Sequence, residues 1–366
     1  MRIILTGGGT AGHINPALAV AGVLQKQGHE VFYAGVPGKI EQRLAKEANL
    51  PFKGFEAAGF DRAHITTLPV AVYKILRSTK KAKAWFREIK PACVVAFGGY
   101  VCIPVARAAE QCGIPVVVHE QNSVMGMANK YLSRRAAKVC LTYEHAASAL
   151  KNKSNVVITG NPVRQCVFDA TREEARREFN IPSNATLLLV TGGSLGARHL
   201  NAAIVARKEM LLSHSNLYII HVTGKAELES VKANLNLSES EALRWQLFGF
   251  TNKMAQCMAA ADAIVSRSGA SSLAEISARK IPALLVPFPY ATGDHQTMNA
   301  KACVEAGSAF LVPDTEVEST QFTQYLTQLI EDGNLRKQMS EACAKQKTSD
   351  AANLVASCVI EACAGC

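Results

Sequence analysis

The chain has 366 residues, 48% of them hydrophobic, more than a single core usually holds, so two domains are expected. Residues 1–161 carry 21 Lys+Arg against 9 Asp+Glu, a balance of +12, and the remainder carries 19 against 21, a balance of −2, so the first half is expected to meet something anionic: phospholipid, nucleic acid or a phosphorylated substrate. The eleven cysteines are odd in number and scattered, which argues against a disulfide framework. No stretch reads as a membrane span or a secretory signal, so the chain is expected to stay in the cytosol.

Short apolar runs alternate with helical patterns. In the first half the strands are Arg2 to Thr6, Glu30 to Ala34, Ala92 to Phe97, Val116 to His119, Val139 to Thr142 and Val156 to Thr159. Gly160-Asn161-Pro162-Val163-Arg164 breaks the pattern and reads as a linker. A second series follows: Thr186 to Thr191, Tyr218 to Thr223, Trp245 to Phe248, Ala263 to Ser266, Ala283 to Pro287 and Phe310 to Val312, with a helical stretch from Ser319 to Ala362. Strand–helix alternation means parallel sheets covered on both faces. The fold class is α/β, with two Rossmann-like domains facing a cleft and ligands at the C-terminal strand ends.

Three glycine-rich turns stand out: Gly7-Gly8-Gly9-Thr10-Ala11-Gly12-His13, Gly98-Gly99-Tyr100, and Gly192-Gly193-Ser194-Leu195-Gly196-Ala197. Glycine lets a ligand approach the backbone, and the start of the following helix favours an anion. The first turn matches the dinucleotide fingerprint, but the second strand ends Phe32-Tyr33-Ala34-Gly35 without the carboxylate that holds a ribose, so NAD is disfavoured. His13 starts a helix, where a neutral imidazole can serve as a general base. The third turn offers amides and a hydroxyl to a diphosphate. No Asp-x-Asp occurs, so a metal bridge of that kind has no ligands and no metal or cofactor is expected. Ser266 to Glu275 reads as another strand–turn–helix, with the Glu275 carboxylate able to accept two ribose hydroxyls. Gly293-Asp294-His295-Gln296-x-x-Asn299 suits sugar hydroxyls, and His119-Glu120-Gln121-Asn122 closes a strand with four polar residues.

Lys74 to Lys90 holds seven Lys/Arg and one acid, Glu88. On a helical wheel Val72, Ile75, Thr79, Ala82, Phe86 and Ile89 form a narrow core stripe. Leu76 and Trp85 fall outside it, near Lys80 and Lys81, and apolar residues ringed by cations suit an anionic membrane surface.

Taken in order from Gly7 to about Gly307, these motifs resemble the MurG family, bacterial transferases that add N-acetylglucosamine to lipid I to make lipid II for peptidoglycan. The resemblance implies a GT-B fold. It implies an acceptor-binding, membrane-associating domain over 1–161, a UDP-N-acetylglucosamine domain over 162–339, and a chain end, 340–366, that returns to the first domain. It implies that Ser194 and its loop hold the donor diphosphate with Arg164 nearby. Thr251 lies where backbone meets uracil, Ala270, Ser271, Ser272, Leu273 and Ala274 start the nucleotide-binding helix, and Glu275 takes the ribose. Gln296 and Asn122 take the sugar, Thr10, Ala11 and Gly12 line the cleft near the diphosphates, and Gly98, Gly99 and Tyr100 face the acceptor diphosphate. The sequence departs from the family pattern where Ala11 replaces a second glycine, Leu195 a glutamine, Thr251 an aliphatic residue and Ser272 a threonine.

The expected reaction is a single inverting displacement by the C4 hydroxyl of the acceptor's N-acetylmuramoyl sugar, with His13 the first choice of base and Glu120 the second. The expected partners are UDP-N-acetylglucosamine, lipid I and an anionic membrane surface, with no nucleic acid, at the cytoplasmic face of the inner membrane. Three alternatives remain: a related transferase acting on another lipid or a small aglycone, a UDP-N-acetylglucosamine 2-epimerase, and a non-enzymatic module binding anionic membrane or nucleic acid. The last leaves the second nucleotide-type domain unexplained.

Overall fold

The computed structural model describes residues 1–57, 68–193, 197–344 and 350–365. Met1–Arg164 and the end of the chain form one compact unit, and Gln165 to Gln346 form the other. The first unit has a seven-stranded sheet in the order β3-β2-β1-β4-β5-β6-β7. Its strands are β1 (Arg2–Thr6), β2 (Glu30–Gly35), β3 (Phe52–Gly54), β4 (Cys93–Ala96), β5 (Val116–Glu120), β6 (Lys138–Leu141) and β7 (Val156–Ile158). The second has six strands in the order β10-β9-β8-β11-β12-β13: β8 (Thr186–Thr191), β9 (Leu217–Val222), β10 (Trp245–Phe248), β11 (Ala263–Ser266), β12 (Ala283–Leu285) and β13 (Ala309–Leu311).

Every strand pairing is parallel. Alternate side chains of the central strands enter different cores. Ile4 joins one cluster while Ile3 and Leu5 join another, and Leu188 and Val190 part from Leu187 and Leu189 in the same way. Both faces are buried, which is why these strands read as unbroken apolar runs. The short β3 carries no such run and escapes a reading by hydrophobicity.

Each sheet reverses its strand order beside its first strand, between β1 and β4 and between β8 and β11. Thr6 pairs with Ala96, and Thr191 with Ser266. Adjacent strands therefore end level at the place where open parallel sheets bind ligands, and the glycine turns leave from those ends.

Two expectations need correction. The boundary at 339/340 falls inside the helix Gly333–Ala344, which stays with the second unit because Met339 and Cys343 are buried in it. Of the described chain end, the last helix, Ala351–Ala364, packs on the first sheet, where Val355, Ala356, Val359 and Ala362 share a core with Ile3, Leu5 and Val20.

The second correction concerns the basic helix, Leu68–Ile89. Trp85 is buried, with its ring 5.7 Å from Phe55 and 5.9 Å from Phe86. Ala82, Trp85, Phe86 and Ile89 follow the i, i+3, i+4, i+7 pattern, so the buried face is broader than a narrow stripe and includes the tryptophan. Val72, placed in that stripe, is exposed, as are Val70, Tyr73 and Leu76. The exposed apolar residues thus lie at the beginning of the helix, and Lys80 and Lys81 are exposed further along. No described helix is long and apolar enough to cross a membrane.

Removing the tryptophan empties a core. Trp85→Ala should lower the first unit's unfolding free energy by about 3–5 kcal/mol. Leu76→Ala should change it by less than about 0.5 kcal/mol. Urea unfolding of the two variants checks the contrast, and equal losses would restore Trp85 to the surface.

Candidate functional site

In the first unit the glycine turns after β1 and β4 lie against each other. Gly8 N–H donates to the Gly98 carbonyl at 3.2 Å. A Cβ on Gly99 would lie 2.5 Å from the Gly8 oxygen, and one on Gly98 would lie 2.8 Å from the His13 ring. Both glycines also hold positive φ, 110° and 87° for Gly98 and Gly99, so any side chain there would be strained as well as blocked. The buried Cys102 thiol reaches the carbonyls of Thr6 at 3.2 Å and Gly98 at 3.0 Å, tying the two strand ends together. Burial raises that thiol to about 12, which keeps it a neutral donor.

His13 lies in the first turn of the helix Ala11–Lys26, half-buried. Its Nδ1 is 2.9 Å from the Gly8 carbonyl oxygen. A carbonyl only accepts, so Nδ1 carries the proton and, in the neutral ring, Nε2 carries the lone pair. The helix has no acidic residue in its first turn, and Thr10 makes no side-chain cap. Its start therefore keeps a positive field for an anion. Thr10 is exposed, Ala11 and Gly12 are half-buried, and Tyr100 stands out from the second turn 43% exposed.

Glu120, the second choice of base, is 1% exposed. Its Oε1 accepts from Asn122 N–H at 3.0 Å and Asn122 Nδ2 at 3.1 Å. Its Oε2 accepts from Gly126 N–H at 3.0 Å and Asn129 Nδ2 at 2.9 Å. A carboxylate so engaged organises the turn that carries Asn122, and the structure does not present it as a proton acceptor. His119 is buried beside it, with Nε2 3.0 Å from the Gly160 carbonyl and Nδ1 receiving the Gln121 amide at 3.1 Å. Asn129 and Cys102 were not singled out from sequence. One lies in a short helix and the other in an apolar run, and neither carried a motif.

In the second unit Gly193 has φ 80° and its N–H donates to Thr191 Oγ1 at 3.3 Å. Ser194, with Leu195 and Gly196, lies outside the described residues. After β11, Gly269 opens the helix Ala270–Ala278, which again has no first-turn acid and no side-chain cap. Ser271 and Ser272 are half-buried, Ala270, Leu273 and Ala274 are buried, and Glu275 is 8% exposed. Gln296 Oε1 accepts the Phe288 N–H at 3.0 Å, and its own carbonyl accepts the Ser268 hydroxyl at 2.9 Å. With its oxygen so placed, the side-chain amide turns its N–H donors the other way. Thr251 Oγ1 accepts the Lys253 N–H at 3.0 Å, holding its turn. Arg164, half-buried, ends the first unit.

Arg267, read from sequence only as part of a turn, proves central to this half. It is buried, pairs with Asp314 at 2.5 Å, and donates to the Val286 and Pro287 carbonyls at 3.1 and 2.9 Å. Asp314 is also 2.9 Å from the His199 ring. Among the described residues no group of His, Cys, Asp or Glu side chains is arranged to hold a metal ion.

Residues 3–141 match the glycosyltransferase family 28 N-terminal domain and residues 187–355 the family 28 C-terminal domain. A UDP-N-acetylglucosamine–N-acetylmuramyl-(pentapeptide) pyrophosphoryl-undecaprenol N-acetylglucosamine transferase from Halothermothrix orenii is 36% identical over 347 residues, covering 93% of this chain and 94% of its own. The Bacillus subtilis enzyme of the same name is 35% identical, covering 96% and 97%. The crystal structure of Acinetobacter baumannii MurG superposes with a TM-score of 0.76 at 31% identity, covering 98% of this chain and 99% of its own. A UDP-GlcNAc 2-epimerase from Neisseria meningitidis shares the fold, with a TM-score of 0.66 at 17% identity and coverage of 99% and 100%.

Burial pushes His119 down to about 4 and His221, buried in the second unit, down to about 3, from an ordinary 6.5. The unfolded chain therefore takes up these protons first as pH falls. Stability is complete above about pH 6.5 and is lost progressively below it, by about 1.4 kcal/mol per pH unit for each histidine, until the folded values are reached. Urea titrations at pH 7 and pH 5 should show this loss. His119→Gln and His221→Gln, each followed through its own unit's unfolding, should flatten it.

Proposed function

This chain belongs to the MurG family of N-acetylglucosamine transferases, and from that premise we propose how its residues share the work. It transfers N-acetylglucosamine from UDP-N-acetylglucosamine to the C4 hydroxyl of the N-acetylmuramoyl sugar of lipid I, giving lipid II for peptidoglycan synthesis. Its two parallel-sheet units constitute the GT-B fold.

The observation that carries the assignment of the base is the His13–Gly8 hydrogen bond. It leaves Nε2 as the basic nitrogen at the rim of a helix start that favours an anion. His13 takes the proton of the acceptor hydroxyl as that oxygen attacks the anomeric carbon. The bond to the donor diphosphate breaks with inversion, and UDP leaves. Gly98, Gly99, Tyr100 and the start of the helix at Thr10, Ala11 and Gly12 hold the acceptor diphosphate. Glu120 serves as organiser of Asn122, which reaches the sugar.

In the second unit, backbone amides of the loop after β8 and the start of the helix Ala270–Ala278 neutralise the donor diphosphate as it departs. Ser194 belongs to that loop by sequence. Glu275 accepts the ribose hydroxyls, Gln296 presents its amide N–H groups to the sugar, and the Thr251 backbone meets uracil. Arg267 stands behind them, holding the Val286–Pro287 strand end from which Phe288 orients Gln296.

UDP release that requires a polyprenyl-diphosphate-linked N-acetylmuramoyl acceptor tests the whole reading, and epimerisation of the donor without acceptor would overturn it. In the same assay His13→Ala should lower kcat by on the order of a hundredfold or more. Near-normal turnover would remove His13 as base.

The first unit meets the anionic inner-membrane surface from its cytoplasmic side as a peripheral protein. Val70, Val72, Tyr73 and Leu76 enter the headgroup region, and Lys80 and Lys81 with the other cations of that helix supply the charge attraction. Leu76→Glu should weaken sedimentation with phosphatidylglycerol vesicles several-fold and leave turnover on a water-soluble acceptor within about twofold. Unaltered vesicle binding would move the membrane surface elsewhere.

A further inference from the structure

A second carboxylate lies under the first glycine turn, and nothing above uses it. Glu41, in the helix Ile40–Glu47, is 1% exposed. Its Oε1 accepts the Val36 N–H at 3.2 Å, and its Oε2 has no hydrogen-bond partner among the described residues. Two backbone segments come so close to it that a side chain on either would force a shift. A Cβ on Gly8 would lie 2.6 Å from Oε1, and a Cβ on Gly35 would lie 2.7 Å from Cγ. Buried acids without a cation are costly, and an apolar side chain of similar volume would serve packing better. The residue is therefore expected to act on what it touches.

What it touches is Gly8, the residue that links the two glycine turns and the base. Gly8 N–H holds the Gly98 carbonyl, and the Gly8 carbonyl holds His13 Nδ1. A carboxylate packed against Gly8 can polarise the Gly8–Gly9 peptide and strengthen its carbonyl as an acceptor. Other titratable groups around the turn are Tyr33 on β2, whose hydroxyl donates to the Gly7 carbonyl at 2.9 Å, and Cys102 beyond β4. Burial keeps both of these neutral. Glu120, at the end of β5, is engaged with Asn122, Gly126 and Asn129.

We propose that Glu41 is a positioning residue for the transfer: through the Gly8 peptide it fixes the His13 ring with the proton on Nδ1 and the lone pair on Nε2. This rests on His13 being the base. It assigns the carboxylate a role similar to that of an acid behind a catalytic histidine, with a peptide group between the two.

The test is Glu41→Gln, which keeps the shape and removes the charge, with Glu41→Asp, which keeps the charge and withdraws it by one methylene. The ring nitrogens of His13 are read by their 15N shifts, and kinetics are measured with UDP-N-acetylglucosamine and a soluble lipid I analogue. The expected result for Glu41→Gln is a fall in kcat on the order of tenfold, donor KM within about twofold, and loss of the single Nδ1–H signature. Glu41→Asp should retain more of both, and it carries the test alone if the glutamine variant does not fold. Folded variants with unchanged kcat and an unchanged ring signature overturn the inference. If His13→Ala is inactive while the Glu41 variants behave normally, only this inference fails. If His13→Ala turns over normally, the assignment of the base fails first, whatever Glu41 does.

Discussion

The Gly8 backbone is the point at which the first unit's two glycine turns and its histidine are joined. Its N–H and C=O are spent on two different partners, the neighbouring glycine turn and the imidazole of His13. That double use requires two level strand ends, which the parallel register of β1 and β4 provides. It also requires glycine at 98 and 99, because a Cβ at either position would meet the His13 ring or the Gly8 oxygen. The strand order places the ligand region here, and the Gly8 carbonyl decides which nitrogen of the histidine carries the proton.

The second unit repeats the scaffold and changes what supports it. The same reversal of strand order brings the ends of β8 and β11 together, and an uncapped helix start follows. The buried support is ionic here: Arg267 spans Asp314 and two backbone carbonyls at the end of β12. Removing either partner of such a pair leaves a buried charge uncompensated, which costs far more than the intact pair contributes. The strand ends of this half are thus joined through a buried ion pair, and those of the first half through direct backbone approach and the Cys102 thiol.

Sequence reasoning reached the scaffold because the physics of a buried parallel sheet is written locally. Each strand face is apolar, each run is short, and each ends in a turn. Twelve of the thirteen described strands were marked by an apolar run, and β3, with only Phe52–Gly54, was not. Trp85 was misplaced because a wheel drawn through one narrow stripe ignored the neighbouring i+3 position, which Phe32, Phe55 and Phe86 enclose. His13, Gln296 and Glu275 could be singled out as candidates because each lies beside a turn that glycine marks. Asn129, Cys102, Glu41 and Asp314 were not, since their roles depend on contacts between distant segments. Glu120 was legible as a residue but its surroundings were not: its four hydrogen bonds, from Asn122, Gly126 and Asn129, appear only in the fold.

The missing acid of the dinucleotide fingerprint illustrates the same limit. The sequence shows no carboxylate at the end of β2, and a nucleotide that requires one there is disfavoured. The fold nevertheless brings a carboxylate to that strand end from the next helix, where Glu41 accepts the Val36 N–H and presses against Gly35. At 1% exposure it cannot meet a ribose. The acid faces inward, toward the turn, and the outer side of the turn keeps the uncapped helix start. The first turn thus keeps the glycines of a dinucleotide loop while the nearby carboxylate packs beneath it, and its outer side is left to His13 and the helix start.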